Sequence, residues 1–173
     1  MVSHKRYDTG ESLRDFVYGF HDGMVTTLAA IVAITVAGLD NKIIILVGFA
    51  NMIADGISMS LGGYLASKSQ EEYDKKIHLR FYLHPEKIAL VTFLSFVFAA
   101  FIPMIPYFFL PAHSALPYSI GVSVVSFFVV GSLRTFYTKK NWLVAGVEML
   151  AVGLAAVIVA YIVGTYISSL NVF

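Results

Sequence analysis

FVYGFHDGMVTTLAAIVAITVAGL, residues 16–39, and IIILVGFANMIADGISMSLGGYLA, residues 43–66, together decide the fold. Each exceeds the roughly 20 apolar residues that cross a bilayer as a helix. Each also holds one aspartate, Asp22 and Asp55, and neither contains Lys or Arg. A charge in the bilayer core costs roughly 2.5 kcal/mol or more, so it is rarely kept without a use. With no basic partner in either stretch, the counter-charge is a proton or a bound cation. An ion or metal transporter is the function class that these two residues favour.

Three further apolar runs, residues 88–110, 118–137 and 143–170, complete a set of five spans. Each must be helical, because backbone exposed to lipid has to satisfy its own hydrogen bonds. The expected fold is an all-α membrane protein whose residues 1–173 form a single integral membrane domain. The link Asp40-Asn41-Lys42 is short enough to make the first two spans a tight hairpin. Pro103 and Pro106 are expected to bend or end the third span. Pro111 and Pro117 are expected to bracket the turn that follows.

Of the 12 Lys and Arg residues, all but Lys42 fall on one side of this arrangement. The positive-inside rule makes that side cytoplasmic, with the N-terminus inside and the C-terminus outside. An odd number of spans is needed for this split. The chain has 173 residues, 58% of them hydrophobic and 13% charged, whereas a soluble domain is nearer half apolar and a quarter charged. The net charge of +1 suggests no nucleic-acid partner. The absence of cysteine removes disulfides, thiolate metal sites and a cysteine nucleophile. The polar N-terminus lacks the small-residue cleavage site of a signal peptide.

Depth follows from the helical rise of about 1.5 Å per residue. Asp22 lies about 9 Å inside the cytoplasmic start of the first span, and Met59 about 10–11 Å from the cytoplasmic end of the second. Asn51, Asp55 and Met59 are spaced by four and stack along one helix face. Asp22 and Thr26 make a shorter ladder on the first span. A carboxylate beside a thioether is informative, since hard cations prefer all-oxygen sites while sulfur favours a transition metal. A site from Asp22 and Met59, doubled by symmetry, would hold Fe²⁺ or Mn²⁺ and reject Ca²⁺. Against this, Met in an apolar helix commonly serves packing, and Asn51 can serve an interhelical hydrogen bond.

Glu148 lies a few residues into the fifth span, where it serves a metal or proton, or simply reaches the interface. His21 adjoins Asp22 but points about 100° away, as neighbours on a helix do, and reads as a packed residue. Gly19 and Gly23 form a small-xxx-small pattern that turns Asp22 toward another helix. In the stretch between spans two and three, Glu71, Asp74 and His78 fall on one helical face. They form either a metal-collecting cluster or, the favoured reading, a solvated amphipathic connector.

RDFVYGFHDG, ISMSLGGYLASKSQEEY, FIPMIPYFF and NWLVAGVEMLAVGLAAVIVAYIVG, spread from Arg14 to Gly164, resemble the vacuolar iron transporter family. The resemblance implies a homodimer with the ion path between subunits, lined by spans one and two. It implies Fe²⁺ export from the cytoplasm, often with Mn²⁺ also carried, in exchange for protons, without a bound cofactor. The family's metal-binding aspartate falls on Asp22 and its methionine on Met59. A glutamate of many eukaryotic members falls on Asn51, so Asp55, one turn away, is expected to take over that carboxylate's role. The glutamate-rich cytoplasmic domain of eukaryotic members has no room in this connector. A compact, prokaryotic-type member in the cell membrane is expected; a eukaryotic one would sit in the vacuolar membrane.

Two other classes were weighed. An intramembrane enzyme is disfavoured because no His-x-x-Glu-His or Gly-x-Ser-x-Gly pattern occurs. A structural or assembly subunit would explain the small-residue faces but not the aspartates.

Overall fold

The computed structural model describes residues 4–76 and 84–169, with side chains for 10–76 and 84–166. The order is α1 (His4–Val36), α2 (Asn41–Lys76), α3 (Pro85–Met104), a 3-10 turn (Ile105–Phe108), α4 (Ala112–Leu133), the one-turn α5 (Thr135–Thr138) and α6 (Trp142–Ser169). No strand occurs among the described residues. Five segments are long and apolar enough to cross a membrane: Gly10–Val36, Asn41–Lys76, Pro85–Phe108, Ala112–Thr138 and Trp142–Tyr166. The protein is therefore an all-α, multi-pass membrane protein.

The helix ends differ from the apolar boundaries for local reasons. α1 begins at His4 and α2 runs on to Lys76, because loss of hydrophobicity does not by itself end a helix. The extension of α2 is supported by an ion pair across one turn, Glu71 to Lys75 at 2.6 Å. α1 stops where Gly38 takes φ +76°, and Gly38 N–H donates to Thr35 O at 3.0 Å. Pro106 has no N–H for the carbonyl of Ile102, and Ile105 N–H takes that carbonyl instead. The last turn of α3 thereby tightens into the 3-10 segment. Pro117 does not flank the following turn as expected. It lies inside α4, which already starts at Ala112 directly after Pro111.

α1 is the central helix. Phe20, Met24, Leu28, Ile31 and Val32, recurring at helical spacing, are each no more than 1% exposed. α1 packs most closely on α3 and then on α6, while α3 also packs on α2. The α1–α2 hairpin is thus joined by a short turn, yet each arm lies more extensively on α3 than on the other. Gly19 and Gly23 make the α1–α3 approach possible. A Cβ on Gly19 would sit 2.7 Å from Thr92 O, and one on Gly23 would sit 3.0 Å from Phe96 Cα.

At the far end from the N-terminus, the α1–α2 turn is tied to the end of α3. Asn41 Nδ2 donates to Tyr107 O at 3.0 Å and to Leu110 O at 2.6 Å. The hydroxyls of Thr35 and Tyr107 share a buried hydrogen bond of 2.9 Å. On the outer face of α2, Leu46, Ile53, Ile57, Leu61 and Leu65 are exposed. Such a face suits lipid or another apolar surface, not water.

Candidate functional site

The four-residue spacing on α2 produces the expected row. Asn51, Asp55 and Met59 are all half-buried, flanked on one side by buried Met52 and Gly56 and on the other by exposed Ala54 and Ser58. The row therefore runs along the margin of the bundle, neither in its core nor fully in lipid. Asp22 on α1 is likewise half-buried. Asp22 and Asp55 sit on different helices, each within an apolar span. Neither carboxylate has a salt-bridge partner among the described residues. A carboxylate in an apolar bundle without a basic partner is stabilised by a proton or a bound cation.

Met59 contributes in two directions. It packs against the buried cluster of Met52, Phe96 and Ala100. It also lines a cavity of about 540 Å³ that α1, α2 and α3 enclose toward the end bearing the N-terminus. Met59 thus serves packing and is also available as a neutral soft donor. Thr26 is committed differently from the sequence reading. Its hydroxyl donates to the main-chain carbonyl of Asp22 at 2.8 Å, within its own helix.

His21 packs as expected, with its ring 5.5 Å from that of Phe127. Its Nε2 is buried without a hydrogen-bond partner among the described residues. Glu148 is exposed and forms an ion pair with Arg134, the residue between α4 and α5. That pairing gives Glu148 a resident basic partner, which Asp22 and Asp55 lack among the described residues. Glu71 is held by Lys75 on the same helix.

Asp74 departs from the solvated-connector reading. It is only 6% exposed, and its Oδ2 has no hydrogen-bond partner among the described residues. The reason is geometric: the extension of α2 carries Asp74 two turns beyond Ser67, on the same inward face as that buried serine. His78, the third member of that trio, lies outside the described residues, as does Arg80 of the basic connector. No group of three or more His, Cys, Asp or Glu side chains gathers in one place among the described residues. A metal bound here must draw on pairs of carboxylates, the thioether, amides or a second copy.

One carboxylate escaped the sequence reading. Asp15 is 5% exposed, although it stands at the end of the polar N-terminal stretch. Asp15 stands seven residues before Asp22, about 10.5 Å along the same face of α1. That spacing of two turns was the available signal.

The chain is similar to known proteins over most of its length. The model of the VIT family matches residues 13–80 and 76–165. The two matched pieces meet just after α2, at the connector. A vacuolar iron transporter of Centaurea cyanus is 24% identical, over 90% of this chain and 87% of its own length. Vacuolar iron transporter 1 of Oryza sativa subsp. japonica is 26% identical, over 91% and 86%. An uncharacterised protein of Methanocaldococcus jannaschii is 26% identical, over 89% and 90%. The rice alignment runs to 216 residues and the archaeal one to 172, so this chain is nearer in extent to the archaeal relative.

Proposed function

The chain belongs to the VIT family, and from that premise we propose that it exports a divalent transition metal, Fe²⁺ and also Mn²⁺, from the cytoplasm in exchange for protons. The observation that carries this reading is that Asp22 and Asp55 are half-buried on two apolar helices, neither with a salt-bridge partner among the described residues. The relatives named vacuolar iron transporter supply the class of cargo.

Asp22 and Met59 hold the metal in this scheme, and Asp55 supplies the charge that the neutral Asn51 lacks. Deprotonated carboxylates bind the cation, and protons arriving from the far side displace it, because H⁺ and M²⁺ compete for the same oxygens. The thioether biases the site toward transition metals over Ca²⁺. The row on α2 is half-exposed at the margin of one chain, so a second copy completes the path. The protein therefore works as a homodimer, with no resident cofactor. The basic end faces the cytoplasm. The short connector gives a compact transporter of the cell membrane in a prokaryote, or of the vacuolar membrane in a eukaryote.

Proteoliposomes loaded with a pH-sensitive dye test the proposal. Addition of Fe²⁺ or Mn²⁺ should move protons against the metal, and addition of Ca²⁺ should not. Absence of metal-driven proton movement in wild type would overturn the exchange with protons.

A further inference from the structure

The cavity beside Met59 has a chemistry that the Asp22 site does not use. Its polar lining comes from Asp15 and Tyr18 on α1 and from Ser67 and Gln70 on α2, with Arg14 at its rim. Asp15 is 95% buried, being 5% exposed. Its Oδ1 is the only oxygen Arg14 takes: Arg14 Nε donates at 2.9 Å and a terminal nitrogen lies 2.8 Å away. Oδ2 is buried and has no hydrogen-bond partner among the described residues. A buried carboxylate oxygen left without a donor is costly and calls for a compensating group. Arg14 itself is 60% exposed and sits on a flexible stem. It can swing into solvent and leave the carboxylate to another cation.

We propose that this cavity is a second divalent-cation site, in which the metal takes the Asp15 carboxylate from Arg14, with the Gln70 amide oxygen and the Ser67 hydroxyl as further donors. The inference rests on the transport reading above and places a loading site before Asp22 on the same face of α1. Arg14 is a resident counter-charge that keeps the empty site neutral and leaves when the metal arrives. Met59 forms the inner wall of the cavity and joins it to the row that continues to Asp55. The oxygen-rich donor set makes this site less selective than the thioether site beyond it.

The test is Mn²⁺ binding to the purified full chain in nanodiscs, followed by calorimetry and by the Mn²⁺ paramagnetic resonance signal. Asp15→Asn should lose one Mn²⁺ equivalent per chain relative to wild type, while Asp22→Asn loses a different one. Arg14→Gln should tighten the Asp15 site about tenfold, as expected when a competing charge-assisted contact is removed. Gln70→Leu, at an exposed position that does not bear on folding, should weaken it. A merely structural Arg14–Asp15 pair predicts the opposite for Arg14→Gln: a lower melting temperature and unchanged Mn²⁺ affinity. Wild-type Mn²⁺ stoichiometry in Asp15→Asn, or unchanged affinity in Arg14→Gln, overturns the second site. Failure of the transport reading is seen separately, as absent metal flux in wild-type proteoliposomes.

Discussion

Gly23→Ala probes the contact that sets the position of Asp22. The added Cβ would meet the carbonyl of Phe96 and lie 3.0 Å from both its carbonyl carbon and its Cα. These are backbone atoms of a buried helix, so no side chain can rotate away. Ordinary carbon contacts begin near 3.5 Å, so α1 and α3 must part by about half an ångström. A gap of that size forfeits about a quarter of the dispersion energy of the lining contacts. Those contacts include Phe20, Met24, Ala99 and Phe127, all buried at this level. Overpacking of this kind costs about 1–3 kcal/mol, offset by about 0.5–1 kcal/mol from replacing a helical glycine. The net loss is about 1 kcal/mol, or a melting temperature lower by about 2–4 °C for a chain of this size. Gly121→Ala is the control, because a Cβ there meets nothing within 4 Å. It should be neutral or slightly stabilising. The assay is apparent melting temperature in detergent, with metal flux read in parallel. Gly23→Ala also moves Asp22, the next residue, relative to Asp55, so flux should fall while Gly121→Ala leaves it intact. Equal stability and flux for the two variants would refute the close α1–α3 approach.

Met59→Ala should retain Mn²⁺ binding at reduced affinity and admit Ca²⁺, checked by competition flux, because only the soft donor is lost. Glu148→Gln should leave metal flux within about twofold of wild type and cost at most about 1 kcal/mol, as an exposed ion pair contributes little. Flux lost in Glu148→Gln would return that residue to the transport path.

The five membrane helices were legible because the bilayer allows only one backbone solution to a long apolar run. Their polar extensions were not, since hydropathy stops reporting where α2 continues past Ala66 to Lys76. That extension is what buries Asp74 and places Gln70 beside the Asp15 cavity. The row Asn51, Asp55 and Met59 could be drawn from its spacing alone. The partner of Glu148 could not, because Arg134 lies at the junction of α4 and α5, 14 residues earlier. Nor could the sequence show that α3 lies against both arms of the α1–α2 hairpin. The small residues Gly19 and Gly23 did announce a close helix neighbour, without saying which. Asp15 was hidden at the end of the polar N-terminal stretch, and only the packing shows that one of its carboxylate oxygens has no donor among the described residues.

The central claim is that Asp22 and Asp55 share the cation path but divide its work. Simultaneous recording of Mn²⁺ uptake and internal pH in proteoliposomes, for Asp22→Asn and Asp55→Asn, tests it most directly. The account predicts that Asp22→Asn abolishes both signals, whereas Asp55→Asn retains Mn²⁺ binding and loses the coupled proton movement. Wild-type proton-coupled transport in Asp55→Asn, or wild-type uptake in Asp22→Asn, would contradict it.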